Sequence, residues 1–133
     1  MSYGTLKARL SAILRVTPPP PGAIKVYRAL LNQDGSDGPP TAIVLQNQLG
    51  GDIVWTREEA GVYIGTLTGA FTYLKTSIHL NTGASVNGFQ GANWNNVNSI
   101  RVQSYTLTSS IGPTYGDGKL SPAGNALEII VYP

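Results

Sequence analysis

An all-β domain, an antiparallel β-sandwich or small barrel of about seven strands, is the fold class this sequence predicts. Three observations predict it. From Ala23 onward, apolar and polar residues alternate over short runs, the period of a half-buried strand. Those runs recur roughly every ten residues, separated by clusters of Gly, Pro, Asn and Asp that read as turns. The chain also has 16 Gly and 9 Pro among 133 residues and only 12% charged residues, about half the usual charged share. A chain of this length hides roughly two-thirds of its unfolded surface, enough for a core without covalent staples.

Three segments divide the chain: an N-terminal arm (1–17), a polyproline spacer (18–22) and a β domain (23–133). The spacer, Pro18 to Pro21 followed by Gly22, reads as stiff polyproline II. The arm, SYGTLKARLSAILRVT, supports two readings. Leu6, Leu10, Ile13 and Leu14 form one stripe of a helix. Leu6, Ala8, Leu10, Ala12, Leu14 and Val16 alternate as in a strand, with Ile13 as the one exception. Propensity favours the helix, because Leu, Ala, Lys and Arg are good helix formers. In either form so short an element cannot stand alone. Its apolar side, Leu6, Leu10, Ile13 and Leu14, is expected to pack on the body, a sister chain or a partner. Lys7, Arg9 and Arg15 give residues 1–21 a charge of +3, against −1 for the remainder. Three charges are too few to make nucleic acid the expected partner.

In the β domain, Ala23–Leu31 reads as the first strand, with Val26, Tyr27 and Leu30, followed by the loop QDGSDGPP. Thr41–Leu49, Asp52–Glu58 and Val62–Thr68 read as a three-stranded meander, turning at Gly50–Gly51 and at Ala60–Gly61. Lys75–Asn81 follows, with Ile78 and Leu80 on one face. Thr82–Asn96 reads as a Gly/Asn loop, Val97–Ser109 as a long strand, Ile111–Gly124 as a second loop and Asn125–Tyr132 as the closing strand.

Groups that could do chemistry are sparse. With no cysteine, thiolate metal sites, disulfides and thiol nucleophiles are excluded. His79 is the sole histidine and reads as a strand residue between Ile78 and Leu80. The seven carboxylates are dispersed, and Glu58–Glu59 point to opposite faces, so no pair converges as in a glycosidase. Asp34 and Asp37 offer hard oxygens for Ca²⁺, but their loop lacks the EF-hand pattern and reads equally as an Asx-rich turn. No phosphate loop or nucleophile elbow occurs. The expectation is a protein that is not an enzyme and uses no cofactor or metal. No apolar run reaches the roughly 20 residues of a membrane span, and Lys7, Arg9 and Arg15 interrupt any secretory signal. Synthesis in a cytosol is expected.

Aromatic residues are the remaining candidates. Trp55, within a strand, is expected in the core. Trp94 lies in FQGANWNNVN among Asn93 and Asn95. An indole flanked by amides suits stacking on a sugar ring or anchoring a protein neighbour. Trp94→Ala is therefore expected to weaken binding more than folding. Tyr73 and Tyr115, also placed in loops, are candidates of the same kind. Together they support a carbohydrate-binding module, recognising host or environmental glycans, as one functional reading.

The segment Lys25–Phe71 carries a further pattern: KVYRALLNQ, a Gly/Asp/Pro loop, VLQNQLGG, IVWTR and YIGTLTGAF. It covers 47 of the 133 residues. It resembles small β-rich proteins found among phage and prophage virion-type genes, which also share an ending like EIIVYP. The resemblance implies a virion structural or accessory role: a capsid decoration, head fibre or tail component, made in the host cytoplasm and located in the virion. Its expected partners are copies of itself, as in a trimer, and other virion proteins, with a host glycan as a further ligand.

Overall fold

Strands form where apolar residues can face a common core. The computed structural model describes residues 21–35, 37–81, 89–108, 112–118, 120 and 125–133. The arm and most of the spacer, including Leu6, Leu10, Ile13 and Leu14, lie outside these residues. The elements are β1 (Lys25–Asn32), β2 (Thr41–Asn47), β3 (Val54–Glu59), β4 (Val62–Thr66), β5 (Thr76–Asn81), β6 (Phe89–Asn96), β7 (Ser99–Thr108), β8 (Gly112–Tyr115) and β9 (Asn125–Val131). They build two antiparallel sheets, as expected of an all-β sandwich or small barrel. One has the order β2-β1-β9-β5; the other has β3-β4-β7-β6, with β8 also paired to β7.

The core sits between the sheets. Tyr27, Ala29 and Leu31 enter it from β1, Leu127, Ile129 and Val131 from β9, Tyr63 from β4, and Ile100 and Val102 from β7. Phe71 and Leu120, both fully buried, fill it from connecting segments. The alternation in NALEIIV is strict, each second residue being buried, because β9 is central in its sheet and carries core on one face. Side chains of this kind contribute about 1.5–3 kcal/mol each on burial.

Two parts of the sequence reading need correction. The three-stranded meander does not form. β2 pairs with β1, whereas β3 pairs with β4, so residues 48–53 carry the chain from one sheet to the other. Gly50 has the positive φ of a turn glycine, +90°, but the turn serves this crossing. Beyond it Ile53 and Trp55 pack on the core from the opposite sheet. The β3–β4 hairpin at Ala60–Gly61 is as expected. Second, nine strands are present among the described residues rather than about seven. The additions, β6 and β8, lie in segments that read as loops. Gly, Asn and Gln give FQGANWNN weak strand propensity, and pairing along β7 from Phe89 to Asn96 overrides it.

The two flanks of the sandwich differ. On one, the terminal strands β5 and β6 lie against each other without a hydrogen-bonded ladder between them. On the other, β2 and β3 are the terminal strands of their sheets. β3 carries Arg57, Glu58 and Glu59 and a bulge, devices that blunt a free edge. β2, TAIVLQN, has no charged residue, and Ile43, Val44 and Leu45 are 59%, 49% and 63% exposed.

Candidate functional site

Trp94 lies on β6, opposite Ile100 of β7, and packs against the core. Its indole N–H donates to the Phe71 carbonyl at 2.9 Å, so the polar edge of the ring is already used. Tyr73 lies against it, ring centroids 4.9 Å apart and planes tilted by 48°. Strand alternation turns Asn93 and Asn95 away from Trp94. Asn93 falls in the outer row with Arg101 and Ile64, and Asn95 donates to Ser99 Oγ at 2.8 Å. The amides and the indole therefore do not converge on one surface. Tyr115 is on β8, edge-on to Tyr105 at 5.8 Å, beyond the stretch of β7 that faces Trp94.

The exposed aromatic at this end is Tyr73, 63% accessible, followed by Leu74 at 85%. Leu74 has φ +60°, and Lys75 N–H closes a turn onto the Thr72 carbonyl at 3.1 Å. A left-handed conformation is costly for leucine. Trp94→Ala is expected to lower stability by about 3 kcal/mol, through the lost ring and the cavity left behind. Trp94→Phe, which removes the indole N–H bond but keeps an aromatic ring, should cost about 1 kcal/mol. Denaturant midpoints of the two variants check this. Equal midpoints for wild type and Trp94→Ala would return Trp94 to a purely binding role.

A second group of polar residues has no counterpart in the sequence reading. Asp117, with its side chain 10% exposed, accepts hydrogen bonds from Arg57 Nε (3.0 Å) and Nη2 (2.8 Å), from Gly61 N–H (3.0 Å) and from Tyr63 O–H (2.6 Å). Burial disfavours its charge, but the bonds from Arg57, Tyr63 and Gly61 outweigh burial and hold its carboxyl below the ordinary value. Burial and the Asp117 partner push the Tyr63 phenol upward. These groups tie the segment after β8 to the β3–β4 hairpin. Gln33, also buried, accepts from Gly35 N–H at 3.0 Å and from Gly118 N–H, and donates to the Gly38 carbonyl at 3.2 Å. Asn125 donates to the Leu31 and Leu120 carbonyls. Polar groups are thus spent on holding loops.

On the outer face of the β2-β1-β9-β5 sheet, Gln46, Arg28, Glu128 and His79 form a cross-strand row. Arg28 donates to Glu128 and Gln46, each at 2.7 Å. The row crosses a shallow groove of about 340 Å³ that Leu45, Asn81 and Ala126 also line. His79 Nε2 is 2.8 Å from Ser77 Oγ. A serine nucleophile needs its histidine oriented by a third group and an oxyanion site. Here Glu128 is engaged by Arg28, so the pair lacks that support. No three potential metal ligands cluster among the described residues, and no described helix is long and apolar enough to cross a membrane. No family model, curated protein or solved structure matches the chain.

Proposed function

We propose that this chain is a structural or accessory component of a phage virion, a capsid decoration, head fibre or tail protein, acting through self-association and surface binding. The observation that carries the reading is the uncharged edge of β2, rich in exposed apolar residues and without a pairing strand among the described residues. An edge of that kind is an association surface unless something covers it. Two further features support it. The buried Gln33 and Asn125 and the partly buried Asp117 are committed to fixing loops, as suits a building part. The likeness of Lys25–Phe71 to virion-type proteins points to the same class, and the sequence of the arm carries a second set of apolar residues, Leu6, Leu10, Ile13 and Leu14.

Removing residues 1–21 should leave a folded β domain with a smaller assembly mass in light scattering and reduced recovery with purified particles. Unchanged mass and unchanged recovery would overturn the proposal. The exposed Tyr73 ring, tilted against Trp94, favours one second reading, a glycan-binding surface. On that reading Tyr73→Ala abolishes a glycan-array signal given by the wild type, with little change in melting temperature.

A further inference from the structure

From the β2 edge and the sequence of the arm we infer an exchange between copies: the arm of one chain adds as a strand to the free edge of β2 in a neighbour. This rests on the self-association proposed above and assigns it a receiving surface. β2 is seven residues long, and among the described residues no strand pairs with its outer edge, which favours addition of an extended segment. The alternating run from Leu6 to Val16 spans eleven residues, long enough to cover β2 from end to end.

The side chains match as well as the length. Pairing with β1 sets Val44 opposite Ala29 and Ala42 opposite Leu31, on the core side of the sheet. Ala42, Ile53 and Trp55 are only partly buried there, and among the described residues no further strand covers this flank. A strand carrying Leu6, Leu10 and Leu14 on one face would extend the core across that flank. Lys7, Arg9 and Ser11 would then face outward.

The route of the chain favours a neighbour's β2 over its own. Gly22 lies in a groove with Thr72, Lys75 and Tyr132, on the side of β5, the strand farthest from β2 in the sheet. Its own β2 lies on the far side of β9 and β1 from that groove. Beyond the turn at Pro21–Gly22, three further prolines in polyproline II would add about 9 Å of stiff reach. Exchange of an identical element between protomers gives closed oligomers without a new surface.

Because the chain has no cysteine, single thiols can be placed at will. Full-length Ser11→Cys and Ile43→Cys chains are mixed and treated with a short bismaleimide. A covalent dimer of one chain of each kind is expected. Ser11→Cys mixed with Asn93→Cys, on the opposite flank, should give none. In parallel, Val44→Lys is expected to raise the concentration at which the assembly dissociates at least tenfold while melting as a monomer like wild type. Leu10→Asp/Leu14→Asp should do the same.

The outcomes separate the two ideas. If the arm variant leaves the mass unchanged, arm-driven self-association itself fails. If the arm variant dissociates but neither the 11–43 cross-link nor the Val44→Lys effect is seen, the arm binds elsewhere and this inference fails alone. A cross-link found only within a doubly substituted single chain would show folding back in place of exchange, and would overturn it too. Ile13 discriminates further. It lies on the helical stripe but off the strand's apolar face, so Ile13→Asp should leave the assembly intact. Dissociation by Ile13→Asp would mean that the arm docks as a helix.

Discussion

Gly61→Ala is expected to leave the domain unable to fold stably. Gly61 has φ +73°, and a Cβ there would lie 2.4 Å from both Gly116 N and Ser104 O and 2.9 Å from Gly116 O. All three are backbone atoms, so no rotamer change relieves the clash. The surrounding bonds leave no slack: Ser104 N–H donates to Gly61 O at 2.7 Å, Gly116 N–H to Ser104 O at 3.1 Å and Ser104 Oγ to Gly116 O at 2.7 Å. The left-handed conformation alone costs alanine about 1–2 kcal/mol. With the displaced backbone the total should exceed about 4 kcal/mol, much of the 5–15 kcal/mol typical of a domain. Gly69→Ala is the matched control. Its φ is +71° with nothing within 4 Å, so only about 1 kcal/mol should be lost. Similar denaturant midpoints for the two variants would refute the close approach of the β3–β4 turn to Gly116.

Asp117→Asn is the second expected large loss, about 3 kcal/mol at neutral pH. The amide oxygen can still accept from Gly61 and Tyr63, but the amide nitrogen then opposes the Arg57 donors, leaving that guanidinium with only the exposed Asp37 carboxylate, 3.5 Å from Nη2. The loss should depend on pH. The Asp117 carboxyl is held below its ordinary value of 3.8 in the fold. Its contribution is therefore present above that value and lost as pH falls through the lower, folded one. Wild type and variant should converge in acid and diverge above about pH 4. Tyr63 acts in the other direction. Its phenol is raised above 10.0, so its contribution is present below pH 10 and lost as pH rises beyond it. Melting temperatures across pH test both limbs, and a gap that stays constant down to pH 2 would rule out Asp117 as its source.

The strands legible in the sequence were those where local pattern and tertiary need agree. β1, β5, β7 and β9 combine alternation with β-branched residues, and Ala60–Gly61 makes a local turn between β3 and β4. The crossing at Gly50–Gly51 was not legible, because a two-glycine turn looks the same whether the chain stays in its sheet or leaves it. What decides is where Ile53 and Trp55 pack, and Trp55 lies over Gly65, whose Cβ would be 3.1 Å from the indole. β6 was hidden because its residues are poor strand formers and its order comes from β7. Trp94 looked like a loop indole for that reason, and its bond to the Phe71 carbonyl spans 23 residues. Asp117 gave no signal either. A lone acid between glycines has no period, and Arg57, Gly61 and Tyr63 reach it across more than 50 residues of sequence.

The place of β9 between β1 and β5 has a consequence for the order of events during synthesis. β1 emerges early, yet its central neighbour starts at Asn125, about 100 residues later, which at 5–20 residues per second is a wait of roughly 5–20 s. Among the described strands, β5 pairs within that sheet with β9 alone. Until Asn125–Val131 arrives, only the β1–β2 hairpin of that sheet can exist, and an isolated hairpin is marginal in water. Assembly of this layer therefore comes late and all together, with long-range closure as the slow step. A chain interrupted before residue 125 would expose the apolar faces of β1 and β5 at once, and such fragments are expected to aggregate instead of persisting as a partly folded domain.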